Sequence, residues 1–529
     1  MKQRSLALIL AVFLAAQVAW TQSVTMETKP LTVTPNAAVG GKIRLRWTVQ
    51  KQTGVLLQVL NAAGKCVRTL DAGNMAPDDY NFIFDGCDAA GKVLPAGAYT
   101  LRLSATPRVE ADLTFGAGGM LGQIARTFTF EKDRKFNLGV KGINAKMVTV
   151  KVDGETWEQE EDFLLAGNNY KVDAAAGTVE FNPTGTLDKG AEIIISFAQG
   201  LPLENPYAIK TAPDGSLYIA DFLGILDGLN KRPKPRTGSI YKVDAAGKPI
   251  LTFAKNGILA LDGKDLAVDA DGNLYVVPLY HTIFVYDSLG KPRYNVAGYI
   301  DPNKIDKDHP IHGGYWPGGI ALNEARRMVM VNADQTNVLY DATKPDFTGF
   351  IACQSGKEGA ELPPAFGPSL AAQGDFFYAT TYYNRLIKYH FDPATKDFSI
   401  VWTTPVLIGG PDAKFTGQDQ LWNALGIELD GTGLIYVADR SNHRIQIFFD
   451  AGTSYKYVGS LGSEGTAVDK CQLMAPHAIT LSPDRKSLYV ADDGIFLKSG
   501  NTPVVKGLAR VVKWKLGAGE MVETKLVVK

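Results

Sequence analysis

The stretch GIELDGTGLIYVADRSNHRIQIF, residues 426–448, decides the fold. Two apolar segments, 426–429 and 434–438, flank a turn of Asp, Gly and Thr, and a third apolar segment follows at 445–448. Short apolar runs separated by turn residues are typical of consecutive antiparallel strands. The stretch therefore predicts one small antiparallel sheet.

The same unit occurs six times in the C-terminal three-fifths of the chain, and a fixed internal period indicates a repeat architecture. A single small sheet cannot bury both of its faces, whereas six sheets stacked around an axis bury them all. We expect residues 521–528, which alternate, to supply the last outer strand of the sixth sheet. The five further copies are YAIKTAPDGSLYIAD (207–221), DLAVDADGNLYVVP (265–278), GIALNEARRMVMVNAD (319–334), SLAAQGDFFYATT (369–381) and AITLSPDRKSLYVAD (478–492).

The unit at 426–448, with its run NHRIQIF, resembles the NHL repeat. The resemblance implies a six-bladed β-propeller over residues 201–529, with seven blades or a smaller number as the alternatives. It weakens in the third and fourth units, and segments 222–238 and 298–315 read as inserted loops.

Residues 23–110 predict a small β-sandwich of short strands and turns. The segments NAAGKCVRTL (61–70) and FDGCDAAGKVLPAGAYTLRLSA (84–105) resemble the immunoglobulin-like module first known from the flagellar hook-capping protein. Phe84 stands where that family usually has Trp. The resemblance implies a spacer or accessory module of a secreted bacterial protein, and it does not by itself imply a flagellar role.

Residues 116–200 resemble a second small sandwich module, found as repeats in bacterial surface proteins, through the alternating runs at 170–181 and 193–197. The glycine-rich residues 116–119 read as a linker. The predicted fold class is therefore all-β, with two small β-sandwich modules followed by a six-bladed β-propeller.

The N-terminus predicts export. Lys2 and Arg4 precede the apolar stretch 6–16, and small residues follow, so residues 1–22 read as a cleaved signal peptide. An uncleaved anchor is the alternative, although the stretch is short for a membrane span. The 55 basic and 55 acidic residues balance, which gives no indication of nucleic-acid binding. We expect a secreted, periplasmic or cell-surface location.

Four cysteines occur in the chain, and export permits disulfides. Cys66 and Cys87 lie in one predicted module, and both a bridge between them and two separate thiols remain open. Cys353 and Cys471 fall in different repeat units and are expected to be thiols. A zinc site built on cysteines is not expected, since the chain has no CxxC pair.

In a propeller the innermost strands begin at one mouth of a central channel. The residues just before those strands, and the loops between second and third strands, face that mouth. Aromatic side chains at such a mouth can stack on sugars or anchor peptides, and they can equally pack between blades. The candidate ligand-binding residues at this mouth are Tyr207, Trp316, Tyr382, Trp422, Arg440 and His477.

No cofactor is favoured, although zinc or calcium at the channel mouth remains open. The weak metal candidates are His281, His477, Asp334 and Asp439. Aspartates recur at the end of the second strand in several units, and such recurrence favours a role in accepting backbone N–H groups. The Asp-rich run 269–273 reads as a turn rather than a calcium loop.

Catalytic residues remain unknown, because no nucleophile elbow, Walker A motif or dinucleotide fingerprint occurs. The favoured function is an exported protein whose propeller face binds a polysaccharide, peptide or protein, with the sandwiches as spacers. The first alternative is a metal-dependent propeller enzyme, a lyase or lactone hydrolase. The second alternative is a structural surface protein, and fold alone does not separate the three.

Overall fold

The computed structural model describes a large part of the chain and is divided into two units, Met1–Pro107 with Ala518–Lys529, and Arg108–Gly517. The predicted signal segment 1–22 lies outside the described residues. The described residues are 24–26, 31–33, 42–89, 91–105, 108–116, 121–139, 143, 148–160, 163, 166–173, 176–199, 203, 205–221, 238–255, 257–278, 283–295, 317–323, 328–333, 336–344, 349–355, 369–381, 384–405, 407, 415–467, 469–493, 495–498, 502–505, 509–517 and 521–529.

The first unit is a sandwich of two sheets. One sheet has the order β1-β3-β6 and the other the order β2-β43-β7-β4-β5. Alternating side chains such as Leu45, Trp47 and Leu57 point into one shared core. The strands are β1 (Val24–Met26), β2 (Leu31–Val33), β3 (Ile43–Val49), β4 (Thr53–Leu60), β5 (Cys66–Met75), β6 (Asp78–Phe84), β7 (Gly97–Ala105) and β43 (Met521–Val528).

The C-terminal strand β43 belongs to this first unit, so its predicted place in the sixth blade was wrong. It pairs antiparallel with β7 from Met521 to Val528 and parallel with β2. Its alternate residues Leu526 and Val528 are buried in the sandwich core. The alternation in the sequence identified a strand correctly, but alternation does not specify the partner sheet.

Cys66 and Cys87 are both thiols, which answers the question that the sequence left open. Cys66 is the first residue of β5. Cys87 follows β6, and its backbone pairs with that of Val93 in an isolated antiparallel β-bridge. Cys471 is also a thiol, as expected.

The second unit begins with the outer strand of a blade and then a module of seven strands, in the order β10-β14-β13-β12-β11-β15-β9. Strand β12 pairs with β11 through Trp157 and then with β13 through Glu158, so it joins two layers around one core. The strands are β8 (Arg108–Gly116), β9 (Leu121–Thr129), β10 (Lys135–Asn137), β11 (Thr149–Val152), β12 (Glu155–Gln159), β13 (Asn169–Asp173), β14 (Thr178–Phe181) and β15 (Glu192–Gln199).

In the described part of residues 205–517, with β8 added, the strands form six antiparallel sheets of four strands, as the repeats predicted. The first five blades each use consecutive strands. They are β16 (Pro206–Thr211), β17 (Leu217–Asp221), β18 (Ser239–Val243), β19 (Ile258–Leu259); β20 (Asp265–Val268), β21 (Leu274–Val277), β22 (Phe284–Tyr286), β23 (Pro292–Asn295); β24 (Pro317–Asn323), β25 (Met328–Ala333), β26 (Thr336–Asp341), β27 (Phe350–Ser355); β28 (Leu370–Gln373), β29 (Phe376–Thr381), β30 (Arg385–Asp392), β31 (Asp397–Thr403); and β32 (Ala424–Leu429), β33 (Leu434–Asp439), β34 (Arg444–Asp450), β35 (Tyr455–Leu461).

The sixth blade has the order β38-β39-β42-β8, so its outer strand comes from before the second sandwich module. Arg108–Gly116 pairs with Arg510–Gly517, and Phe115 is buried between blades six and one. Gly116 thus ends a strand rather than opening a linker. The remaining elements are a 3-10 turn Arg440–Asn442, β36 (Ser463–Glu464), β37 (Gln472–Leu473), β38 (Pro476–Leu481), β39 (Ser487–Asp492), β40 (Ile495–Lys498), β41 (Thr502–Val505) and β42 (Arg510–Gly517).

The six inner strands β16, β20, β24, β28, β32 and β38 contact one another in a closed ring around the channel. Separate apolar clusters fill the spaces between neighbouring blades; one joins Tyr275 of blade two with Ile320 and Tyr340 of blade three. The architecture is therefore an all-β chain with two sandwich modules and a six-bladed propeller. In the described parts of the chain, no helix has the length and apolar character needed to cross a membrane.

Candidate functional site

The recurring aspartates at the ends of second strands anchor the backbone just before each inner strand. Asp221 accepts the N–H of Asn205 at 2.6 Å, and Asp439 accepts that of Trp422 at 2.7 Å. Asp492 accepts the N–H groups of residues 474 and 475. The predicted backbone role of these carboxylates is thus what the structure displays in blades one, five and six.

Two of these aspartates also bind an arginine on the third strand. Asp439 accepts from Arg444 Nε at 2.8 Å, and Asp492 accepts from Arg510 Nε at 2.9 Å. Each guanidinium also donates to carbonyls of the preceding loop, including Gln420 O and Gln472 O. The carboxylates are therefore committed to shaping the start of the inner strand.

Tyr207 and His477, two predicted ligand-binding residues, meet at the channel mouth where the inner strands begin. Their ring centroids lie 3.7 Å apart, and His477 Nδ1 lies 2.7 Å from the carbonyl oxygen of Tyr207. Because a carbonyl only accepts, Nδ1 carries the proton and Nε2 is the lone-pair acceptor of a neutral ring. The imidazole is thereby fixed in one tautomer and one orientation.

The charges of two cations from other blades act on this imidazole. Burial lowers the pKa of His477 well below its usual value, and the nearby charges of Arg440 and Lys264 lower it further. Arg440 Nη2 donates to Asp493 Oδ2 at 2.9 Å, and both side chains are buried. Tyr207, Lys264, Arg440 and His477 come from blades one, two, five and six. We call this group the strand-start mouth, after the end of the channel at which the inner strands begin.

One further predicted mouth residue, Trp422, lies among the described residues. Trp422 is half-buried two residues before β32, and its carbonyl accepts the N–H of Ser441. Trp316, Tyr382, His281 and Asp334 all lie outside the residues whose side chains the structure describes.

Among the described residues, no group of three or more His, Cys, Asp and Glu side chains is arranged to hold a metal ion. The Asp-rich run at 269–273 is a turn, because Asp269 accepts the backbone N–H of Asn273 at 2.7 Å and its amide at 2.8 Å. Gly272 completes that turn with a φ of +80°, which favours glycine. His443 is held structurally by Met474 O at 2.6 Å.

A cavity of about 440 Å³ lies at the opposite end of the channel, where the inner strands end. All six blades contribute to its wall, and most of the lining side chains are aliphatic. We call it the strand-end cavity. Its lining residues are Lys210–Pro213, Ala267–Ala270, Ile320–Leu322, Leu370–Ala372, Glu428, Leu429, Thr480, Leu481 and Pro483.

Lys210 and Glu428 place opposite charges in this cavity, and sequence reasoning missed both. Lys210 Nζ lies 2.5 Å from Glu428 Oε2, although the residues belong to blades one and five. A signal was present, because each residue interrupts an apolar inner strand at the same register, opposite Tyr218 and Tyr436 respectively. Alignment of the repeats by register would have shown the pair.

Asp265 in blade two is the third charged group near this pair. Burial raises its pKa to about 7, against the opposing effects of Lys210 and of the N–H groups of Ile320 and Leu266. Burial by itself lowers the pKa of Lys210, but the carboxylates of Glu428 and Asp265 outweigh burial and raise it. The lysine is therefore firmly cationic.

Comparison with known families agrees with two of the resemblances. The model described as the FlgD Ig-like domain matches residues 34–108, and the model described as the NHL repeat matches residues 421–448. No curated protein matches the chain significantly.

Several solved structures are similar at low identity. A structural genomics protein of unknown function from Bacteroides thetaiotaomicron has 12% identity and a TM-score of 0.42, with 94% of this chain and 99% of that chain covered. An auxiliary nutrient binding protein from Bacteroides ovatus has 10% identity and a TM-score of 0.38 over the same shares. Hydrazine synthase from Kuenenia stuttgartiensis has 16% identity and a TM-score of 0.35, covering 55% of this chain and 93% of that chain.

Proposed function

We propose that this chain is an exported binding protein whose propeller captures a polysaccharide, peptide or protein at the strand-start mouth. The observation that carries the proposal is the convergence of Tyr207, Lys264, Arg440 and His477 from four blades. Side chains from separate blades at one mouth form a single recognition surface that no one blade supplies.

The chemistry of the strand-start mouth suits recognition by hydrogen bonds and ring contact. The neutral His477 offers Nε2 as an acceptor, and the half-buried Tyr207 ring stands beside it. Arg440 is held by Asp493 in a fixed orientation. Such fixed polar groups beside an aromatic ring give a ligand orientation at little entropic cost.

The export signal and the two sandwiches complete the proposal. Residues 1–22 direct the chain out of the cytoplasm, to the periplasm, the cell surface or the medium. The match of residues 34–108 to the FlgD Ig-like domain supports a spacer or accessory role for the first module. Secretion is tested by recovery of the mature chain, shortened at its N-terminus, from the periplasm or medium.

Binding is tested by calorimetric titration of the full mature chain with neutral and uronic-acid oligosaccharides and with a hexapeptide mixture. Tyr207→Ala and Arg440→Lys should each weaken the bound class at least tenfold, because stacking and the bidentate guanidinium geometry are lost. Lys344→Met, which removes an exposed cation of blade three, should leave binding unchanged.

Two results would overturn the proposal. In the first, a probe binds saturably and neither Tyr207→Ala nor Arg440→Lys weakens its binding. In the second, none of the probes binds saturably. The alternatives have their own signatures in the same preparation. A metal-dependent lyase or lactone hydrolase holds about one metal per chain by elemental analysis, and a structural surface protein self-assembles during sedimentation.

A further inference from the structure

The strand-end cavity has the dimensions of a small-molecule site. Its volume is about 440 Å³, within the range of about 300–1,000 Å³ typical of ligand pockets. Its wall combines aliphatic side chains such as Leu322, Leu370 and Leu429 with a few polar groups. It lies at the other end of the channel from the strand-start mouth, so it is a separate site.

Lys210 and Glu428 place one cation and one anion of the cavity wall in direct contact, while the Asp269 carboxylate, also on the wall, accepts hydrogen bonds from Asn273 and Tyr275. The pair joins inner strands of blades one and five, with blade six between them, and is only 18% and 17% exposed. An ammonium group has three N–H donors, and a carboxylate has two acceptor oxygens. Within the described part of the chain, Lys210 Nζ donates to Glu428 Oε2 alone, which leaves donors on Lys210 and Oε1 on Glu428 available to a ligand.

A contribution to the stability of the fold is a weak explanation for the presence of the Lys210–Glu428 pair. The cost of removing two charges from water roughly offsets their attraction, and aliphatic replacements are often equally stable. The remaining wall at this level is aliphatic or hydroxylic, as at Ala267 and Thr480. The position of the pair on the cavity wall is therefore better explained by recognition.

We propose that the strand-end cavity is a second binding site, which takes a small neutral amide with an aliphatic body. The amide carbonyl accepts from Lys210 Nζ, and the amide N–H donates to Glu428 Oε1. The aliphatic part lies against Ala267, Leu322 and Leu429. The backbone of an apolar dipeptide has this chemistry.

The charge and the lining of the cavity favour a neutral amide over charged ligands and over sugars. The Lys210–Glu428 pair sums to zero charge, so a neutral ligand brings no uncompensated charge into the channel. Among the described residues that line the cavity, none has an aromatic side chain on which a sugar could stack. The proposal does not depend on the ligand of the strand-start mouth.

The test is calorimetric titration of the full mature chain with N-acetyl-leucinamide, and with free leucine and xylose for comparison. The amide should bind best, and the double variant Lys210→Met with Glu428→Leu should weaken it at least tenfold. The matched control is Arg102→Met with Glu523→Leu, which removes an ion pair of 2.7 Å from the first unit and should leave binding unchanged.

Thermal unfolding of each variant shows whether the fold is intact. Amide binding unaffected by the double variant would overturn the proposal, as would no amide binding or tighter binding of leucine than of the amide. Tyr207→Ala should leave amide binding unchanged, so failure at this site and failure at the strand-start mouth are distinguishable.

Discussion

The two ends of the propeller channel use charged side chains in different ways. Where the inner strands begin, Asp439 accepts hydrogen bonds from the backbone of Trp422 and from three side chains, so it holds the turn in place. Where the inner strands end, Lys210 and Glu428 bond to each other across a cavity. The Asp439 carboxylate thus holds the chain's own backbone in place, whereas the Glu428 carboxylate pairs with a side chain of another blade on a cavity wall.

Removal of Asp439 should have the largest effect. Asp439→Ala removes a fully buried carboxylate that accepts from the partly buried Arg444 guanidinium and from the Trp422 N–H, and loss of one member of a buried pair costs about 3–5 kcal/mol. Urea unfolding of the full chain measures the loss. Asp271→Ala, at an exposed turn position, is the control and should change stability by less than about 0.5 kcal/mol. Equal effects of the two substitutions would contradict the structural role.

The cavity pair should respond differently to single and double substitution. Lys210→Met alone isolates Glu428 in a largely buried site and should cost about 2–3 kcal/mol. Lys210→Met with Glu428→Leu should restore stability to within about 1 kcal/mol of the original, because both charges are gone. A double-mutant cycle from urea unfolding measures this difference. A double variant as unstable as the single variant would show that the pair supports the fold.

The folded protein should lose stability through Asp265 as pH rises through the acidic range. The pKa of Asp265 is raised by burial from 3.8 to about 7, so its contribution to stability is complete below about pH 4 and is lost as pH rises toward 7. Asp265→Asn should remove this slope, at a cost of about 1 kcal/mol for one of the two N–H bonds that Asp265 accepts. Unfolding free energies at pH 4.5 and 7.5 provide the measurement. The same slope in both proteins would contradict the pKa assignment.

The contribution of His477 to the stability of the fold should have the opposite pH dependence. The pKa of His477 is lowered by burial and by Arg440 and Lys264, so the unfolded chain takes up a proton near pH 6.5 that the folded chain does not. Stability is therefore lost as pH falls below about 6.5, by on the order of 1 kcal/mol at pH 5.5. His477→Gln retains a donor toward Tyr207 O and should remove this loss. Proton NMR of the imidazole checks directly that the ring stays neutral at pH 6.

Sequence reasoning succeeded where one local pattern fixes one local structure. The turn signals and apolar runs of the repeats predicted six blades, and the run at 269–273 was correctly interpreted as a turn. The sequence did not predict the sheet to which a strand belongs when its partner strands are distant in the chain. Residues 521–528 and 108–116 complete sheets whose other strands are remote in the chain, and period-two alternation carries no information on which sheet a strand joins.

Some residues of the two candidate sites were named from the sequence, and others were not. Tyr207 and His477 were proposed because they stand at the starts of inner strands, and Arg440 because it follows a second strand; the rings of Tyr207 and His477 lie 3.7 Å apart, and the charge of Arg440 acts on His477. Lys210 and Glu428 were missed because they are 218 residues apart and each appeared as a lone polar residue within a strand. Their shared register becomes meaningful only when six inner strands surround one axis.

The sequence by itself determined the all-β class and the number of blades, because strand and turn preferences are local. Tertiary structure alone decided which distant strands close the first sandwich and blade six. It alone also decided that a lysine and a glutamate of blades one and five meet in a cavity. Both outcomes depend on closure of a ring, which joins residues by geometry rather than by their order in the chain.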